Sequence, residues 1–544
     1  MLFAVALTDV LSRLLPKKVP APLLQILAGL LLSLWRPSAH LPLGPEVFFL
    51  VFLPPLLFSD AVKLPYESLR EDLGKIAGLA IGLVAVTVLG IGLFVHTLLP
   101  EVPFAVACAL GAVLAPTDAV AVSAFTGSLP FPSRMLTLLR GEALFNDASA
   151  LLALRLAVGM VLTGQFHSGL ALEQLLWLGG GGIALGILLG VALGKFSGWV
   201  SDHHYEEPSG QALLSLSIPF LIFILGEKVE VSPFVAVAAA GVTYNRYGLD
   251  PNRDPHLRLH SQEVWKTIEF ALNGMIFVVL GLELPTRLGA VPHSVDALPG
   301  HPILVPLAIV GALVVLRFAW SLALLNLTLF KARRAGHDAP RRPSWRVLIA
   351  MTLAGARGTI SLAAVLTLPL TTHQGAPFPY REEVLYLATS VVLWTIALAA
   401  VGLPLALRGL KLPPETRRQH QEREARAAMQ RVAPEAIHQR MAQLVEEGYE
   451  EDSVHRFGEA LIRSHLFRLE ELEPEPGGAS RRGRLEIERE LRKASLEGQR
   501  GLLTRLLADR QITRDLHLKL EHDLDLQQAA LRYTSPIHPL TTDH

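Results

Sequence analysis

The chain has 544 residues, 51% hydrophobic and only 18% charged, with 49 basic and 49 acidic side chains. That is too apolar and too charge-poor for an ordinary soluble enzyme, whose charged fraction is about 25%. The zero net charge says nothing about partners until it is split by region, most of the charge falling after residue 411, and no nucleic-acid partner is expected. A single cysteine, Cys108, excludes an internal disulfide and, lying in an apolar run, reads as a small buried hydrophobe.

Against the roughly 20 apolar residues needed to cross a bilayer, the chain offers thirteen candidate helices. They fall at 1–15, 20–35, 45–62, 74–99, 103–126, 131–162, 171–200, 210–227, 231–247, 264–285, 302–330, 344–370 and 383–408. The first is short and interrupted by Asp9 and Arg13; if it lies at the interface instead, twelve spans remain. It has no basic leader and no small-residue cleavage site, so no removable signal peptide is read there. Alternate loops carry about 19 and about 4 basic residues, and the positive-inside rule places the richer set in the cytoplasm. The amino terminus is then outside and the carboxy-terminal end inside.

The third span carries Pro54-Pro55 and ends near Ser59 and Asp60, a polar pair at membrane depth. The fifth contains Leu114-Ala115-Pro116-Thr117-Asp118, where a mid-span proline removes a backbone donor and breaks or kinks the helix. The sixth holds Glu142, Asn146 and Asp147. A carboxylate at a helix centre in lipid costs about 2.5 to 3.5 kcal/mol, so such residues line a pathway, a site or a paired contact. Glu142 and Asn146 share a helix face, and Asp147 lies one step round. Glu269 and Asn273 in the tenth span are further intramembrane polar groups, and Arg155 and Arg317 read as structurally paired or snorkelling. The twelfth contains Gly355-Ala356-Arg357-Gly358, a second interruption.

Interruptions at matching places in two halves mark a transporter site. Here they fall seven helices apart, which predicts oppositely directed spans and a 6+6 inverted repeat. Asp118 would face the positive end of the second half-helix of its span, and Arg357 the negative end of the first half-helix of its own. Arg357 also needs a carboxylate in low dielectric, and Glu142 is the expected partner. The fold class is therefore an all-α polytopic membrane protein, with a transporter domain over 1–411 and a cytosolic helical tail over 412–544. In that tail charge is dense, Gly477-Gly478 predicts a break between helices, and Leu485, Leu491, Leu496, Leu502, Leu503, Leu506 and Leu507 form a broken apolar stripe. His455 and His465 are isolated there and are not read as ligands.

Five stretches carry a resemblance. Leu-Pro-Pro-Leu-Leu-Phe (53–58), Ala-Pro-Thr-Asp-Ala-Val (115–120), Gly-Glu-Ala-Leu-Phe-Asn-Asp (141–147), Phe-Val-Val-Leu-Gly-Leu-Glu-Leu-Pro (277–285) and Gly-Ala-Arg-Gly-Thr-Ile-Ser (355–361) resemble monovalent cation/proton antiporters of the sodium/proton exchanger type, bacterial NhaP-like members of cation:proton antiporter family 1. The resemblance implies thirteen helices, two of them broken and crossing, and a homodimer in the cell membrane serving pH homeostasis. It implies that Asp147 exchanges Na+ for H+ with Asn146 beside it, that Thr117 and Asp118 stand at the crossing with the Thr117 carbonyl a cation ligand, and that Glu142 and Arg357 form a buried ion pair. It implies no cofactor beyond the transported ions. Two departures touch the ligand set: Ala143 stands where many bacterial members have serine, and Ser59 precedes Asp60 where an acidic residue commonly follows the proline-rich stretch. They leave the choice among Na+, Li+ and K+ open, while an Asn-Asp pair resembles the electroneutral branch.

The physical mechanism is competition. Burial disfavours a bare carboxylate, so Asp147 carries either a proton or a cation. A sodium-coupled symporter or cation channel on a similar repeat is the rival within the class. An intramembrane hydrolase with two aspartates is the rival outside it, and no Gly-x-Gly-Asp stretch supports that.

Overall fold

The computed structural model describes residues 1–15, 19–35, 45–64, 74, 76–118, 122, 133–164, 173, 176–202, 207–247, 255–288, 301–334, 343–372, 375–408, 416–472, 479–509, 511, 516–517, 520–521, 524 and 528. Its contacts divide the chain into two units, Met1–Leu410 and Lys411–His544.

Among the described residues the first unit is helical apart from turns and one antiparallel bridge, Thr371 to Pro377. Its helices are α1 (Leu2–Leu14), α2 (Ala21–Trp35), α3 (Pro45–Val62), α4 (Leu83–Leu98), α5 (Phe104–Val113), α6 (Ser133–Thr163), α7 (Gly181–Asp202), α8 (Pro208–Lys228), α9 (Pro233–Tyr247), α10 (Pro255–Leu288), α11 (His301–Arg334), α12 (Trp345–Leu353), α13 (Thr359–Leu366) and α14 (Arg381–Leu407). Two of them begin with a wider π-wound turn, Gly78–Gly82 before α4 and Leu176–Gly180 before α7. Among the described residues seven helices are long and apolar enough to cross a membrane, and α2, the 50–62 part of α3 and α5 are shorter apolar helices.

The outward faces explain the composition. Leu89 and Leu93 on α4, Ile187 and Leu188 on α7, Val315 on α11 and Val401 and Leu405 on α14 are large, apolar and exposed. In water such faces would be aggregation liabilities; in a bilayer they are the solvent-matched surface. Inside, packing depends on close approach. Gly186 of α7 lies so near the backbone of Ala236 on α9 that a Cβ there would overlap it, the small-residue contact by which helices associate in lipid.

Several boundaries differ from the sequence reading. The span placed at 264–285 begins nine residues earlier, at Pro255, and the span at 302–330 runs on to Arg334. Residues 344–370 form two short helices, α12 and α13, with α12 capped by the Ser344 hydroxyl accepting from the Val347 N–H. The predicted second half-helix after Asp118 lies outside the described residues except for Val122.

The second unit holds α15 (Thr416–Glu446), α16 (Glu451–Leu472) and α17 (Ala479–Ala508). Gly448, with φ at +95°, ends the turn that returns α16 against α15, and His465 meets the Gln430 amide at 2.7 Å across that contact. The expected leucine stripe is narrower than the sequence predicts. Leu496 and Leu503, seven residues apart on one face, bury with Leu524, whereas Leu491 and Leu502 point out. The Gly477-Gly478 break lies outside the described residues.

Candidate ion-binding site

The site is built where two helices stop. Helix α5 is buried continuously from Val106 to Val113, then gives way to non-helical backbone at Ala115-Pro116-Thr117-Asp118. Pro116 has no N–H to continue the ladder, and its ring would collide with the carbonyl a turn back. Helix α12 likewise ends at Leu353, and non-helical backbone runs through Gly355-Ala356-Arg357-Gly358 to α13. The two breaks meet: the Asp118 N–H donates to the Ala356 carbonyl at 2.8 Å.

Breaking a helix in an apolar interior frees carbonyls that must find donors. Arg357 supplies two of them. Its Nε donates to the Leu114 carbonyl at 2.8 Å and its Nη1 to the Gly355 carbonyl, so one guanidinium closes the carbonyl ends of both α5 and α12. Its own N–H donates to the Thr395 hydroxyl of α14 at 3.2 Å. The next carbonyl, that of Ala115, is taken by the Asn146 amide of α6 at 2.9 Å, with Thr117 Oγ1 at 3.5 Å from the same nitrogen.

Glu142 does not pair with Arg357. Its carboxylate is fully buried and takes both contacts from Arg317 of α11, Nη1 to Oε1 at 2.5 Å and Nη2 to Oε2 at 3.1 Å, while Arg317 Nε donates to the Met351 carbonyl at 3.2 Å. The physical reason is geometric. Arg357 is committed to the carbonyls its own break released, whereas Arg317 presents a free planar fork that matches a carboxylate. The glycines flanking Arg357 serve these contacts. A Cβ at Gly355 would lie 2.6 Å from Arg317 Nε, and one at Gly358 would overlap the Asp118 carboxylate.

Asp147 lies one residue beyond Asn146 and is 5% exposed. Its surroundings are mostly anionic, with Asp118, Asp60 and Glu142 all acting on it, and the Thr117 backbone N–H faces its carboxyl. Among the described residues no donor reaches Asp147 Oδ1, and none reaches the Oδ1 of Asn146, itself fully buried. Buried oxygens that accept nothing from the described residues suit a bare cation or a proton. Thr117 is buried beside them and Asp118 is half-buried.

Of the other sequence candidates, Asp60 is near enough for its charge to act on Asp147. Asp60 is exposed, in the last turn of α3, whereas Ser59 beside it is buried and donates to Glu269 of α10. Lys63 also binds Glu269. Ala143 is buried and offers no oxygen. Arg155 is exposed on α6, within reach of the Glu227 charge. Sequence reasoning did not find the Thr395 contact, since one threonine in an apolar span carries no signal of its own.

The family described as "Sodium/hydrogen exchanger, transmembrane" matches residues 1–409. The chain is 34% identical over 541 residues to the uncharacterized Na(+)/H(+) exchanger YjcE of Escherichia coli, covering 98% of this chain and 97% of that one. It is 30% identical over 539 residues to the sodium, potassium, lithium and rubidium/H(+) antiporter of Bacillus pumilus, covering 97% of this chain and 77% of that one. Its fold is similar to that of the sodium proton antiporter MjNhaP1 from Methanocaldococcus jannaschii, solved at pH 8, with a TM-score of 0.57 at 18% identity, over 75% of this chain and 96% of that one.

Proposed function

The chain belongs to the sodium/hydrogen exchanger family, and from that premise we propose that it exchanges Na+ for H+ at Asp147 by alternating access, with one proton per cation. It is a multi-pass membrane transporter and not an enzyme; antiport of a monovalent cation against protons is the family's activity. The observation that supports Asp147 as the carrier is its buried Oδ1, which no donor among the described residues reaches, on the helix that also carries Asn146 and next to the meeting of two helix breaks.

The chemistry follows from desolvation. A carboxylate in this setting is stable only when a proton or a cation neutralises it, so the two exclude one another. A cation at Asp147 would find oxygen ligands in the Asp147 and Asn146 side chains and in Thr117, hard donors of the kind alkali ions prefer. The Asn146 amide nitrogen, meanwhile, holds the Ala115 carbonyl. Asn146 is uncharged, which leaves one titrating carboxylate of the pair and favours electroneutral exchange. Glu142, saturated by Arg317, stays out of the cycle. Movement of the broken helices with α6 against the remaining helices would carry the loaded carboxylate from one side to the other. In this reading the protein is a homodimer of the cell membrane, with its amino terminus outside, residues 412–544 in the cytoplasm and a role in pH homeostasis.

The test is exchange in proteoliposomes loaded with a pH-sensitive dye. Wild-type protein should dequench the dye on addition of Na+, without net current, and Asp147→Asn should insert and give no response. Exchange by Asp147→Asn at the wild-type rate sinks the carrier assignment. A current that scales with the Na+ gradient argues against electroneutrality. Repeating the assay with Li+ and K+ sets the selectivity.

A further inference from the structure

The two π-wound turns differ in what their glycines do. In the turn before α4, the Trp320 indole of α11 donates to the Gly78 carbonyl at 3.0 Å, which also takes the Leu83 N–H. A Cβ at Gly82 would overlap the same ring, and one at Gly78 would lie 3.0 Å from Leu324. Close packing accounts for both glycines, and the indole holds the turn.

The turn before α7 runs into four consecutive glycines, Gly179-Gly180-Gly181-Gly182. Packing accounts for the last two. A Cβ at Gly181 would lie 2.7 Å from Val231, and one at Gly182 would lie 2.9 Å from the Ser232 carbonyl, where α7 closes on the start of α9. It does not account for the first two. Among the described residues a Cβ at Gly180 would meet nothing within 4 Å, and one at Gly179 only Leu152 at 3.7 Å, an ordinary contact. Neither residue has a positive φ, so the turn as it stands would accept alanine at both places. A glycine that neither packing nor φ requires weakens a helix relative to alanine. What it adds is freedom of the backbone.

The surroundings of the turn say what that freedom serves. Leu152 belongs to α6, five residues past Asp147, so the turn touches the helix that carries the buried carboxylate. The Leu178 carbonyl accepts the Ser232 N–H at 3.0 Å, which ties the same turn to the start of α9. It therefore stands between α6, which moves in the proposed cycle, and the closely packed pair of α7 and α9.

We propose that residues 176–180 are a hinge of the transport cycle: the wide turn changes its winding as α6 moves past it, and Gly179 and Gly180 keep that change easy. Hinges draw on a few element-terminal positions that absorb changes in φ and ψ, and such motions set many maximal rates. The inference rests on alternating access with Asp147 as the carrier, yet the two fail separately.

The experiment measures maximal exchange rate in proteoliposomes, and melting in detergent, for the full chain, Gly179→Ala, Gly180→Ala and the double variant. Each alanine should slow maximal exchange about four- to fivefold, the helix-propensity difference between glycine and alanine written as a ratio, and the double variant should be slower than either. Melting should equal or exceed wild type and keep its rise with Na+, a combination that a merely structural role does not give. Gly82→Ala is the contrasting case and should melt well below wild type, because its methyl overlaps Trp320. A wild-type rate in the double variant overturns the proposal. So does a slowed rate with lower melting, which is packing damage, and so does wild-type melting in Gly82→Ala, which removes the difference between the two turns. If the double variant fails to reach the membrane, Gly180→Ala decides by the same criteria. Asp147→Asn separates the two readings. Its loss of exchange beside wild-type rates in the glycine variants strikes the hinge and leaves the carrier; wild-type exchange in Asp147→Asn beside slowed glycine variants strikes the carrier and leaves the hinge.

Discussion

Glu142 and Asp147 lie five residues apart on the same helix, both buried, and their surroundings are opposite. Glu142 has each oxygen filled by one arginine fork whose third donor holds a helix-end carbonyl. Asp147 has an oxygen that no donor among the described residues reaches, and carboxylates act on it. A saturated buried charge is structural, since nothing further can bind it without breaking what is there. An unsaturated one is held ready for a ligand. The contrast separates the two acids of a single motif by what they lack, and variants can test it by asking which lose stability and which lose only exchange.

The largest loss of stability belongs to the saturated side. Removing Arg317 as Arg317→Ala leaves Glu142 buried without its partner, and breaking a buried pair costs about 3 to 5 kcal/mol. The detergent-solubilised protein should melt well below wild type, and Glu142→Ala should do nearly the same. If either variant melts like wild type, Glu142 is not locked and the contrast collapses. Arg357→Ala comes next. It strips the donors from the Leu114 and Gly355 carbonyls, and hydrogen bonds to a charged group contribute about 1.5 to 3 kcal/mol each, so melting should fall and exchange with it, because the two breaks lose their common cap. Asn146→Ala should cost less, about 1 kcal/mol for one neutral bond to the Ala115 carbonyl, while raising the Na+ concentration needed for exchange. That combination, small in stability and large in cation affinity, would place Asn146 on the ligand side of the division.

How much of this was legible beforehand depends on whether a feature acts through local chemistry or through distance. Pro116 beside Thr117 and Asp118, and the glycines at 355 and 358 flanking a buried arginine, announce broken helices because each combines a helix-weakening residue with a charge that an apolar span would not otherwise hold, and the non-helical backbone lies there. The long apolar runs give the membrane helices for the same reason. Partner choice was not legible. Glu142 and Arg317 are 175 residues apart, and nothing in either neighbourhood says that Arg357 would spend its donors on carbonyls. The clue that existed was Arg317 itself, an arginine in an apolar run with no local reason to be there. Helix ends also eluded the pattern: α10 begins at Pro255 because its polar first turns continue the helix beyond the apolar stretch. The Ser59 contact to Glu269 joins two spans 210 residues apart and carries no periodic signature.

The smallest effect is the most discriminating. Neutralising an unpaired buried carboxylate removes a desolvation cost, so Asp147→Asn should melt at or slightly above wild type in Na+-free buffer while losing exchange altogether. Adding Na+ should then separate the two proteins. A ligand that binds only the folded state stabilises it in proportion to the logarithm of its concentration, about 2.7 kcal/mol at a hundredfold excess over its dissociation constant. Wild-type melting should therefore rise with Na+ against a background of equal ionic strength held by a bulky organic cation, and Asp147→Asn should not respond. Glu142 variants, though less stable throughout, should keep the Na+-dependent rise, because the oxygen that takes the cation is untouched. A Na+ response that survives in Asp147→Asn, or disappears in Glu142→Gln, would mean the open oxygen and the filled ones had been assigned the wrong way round.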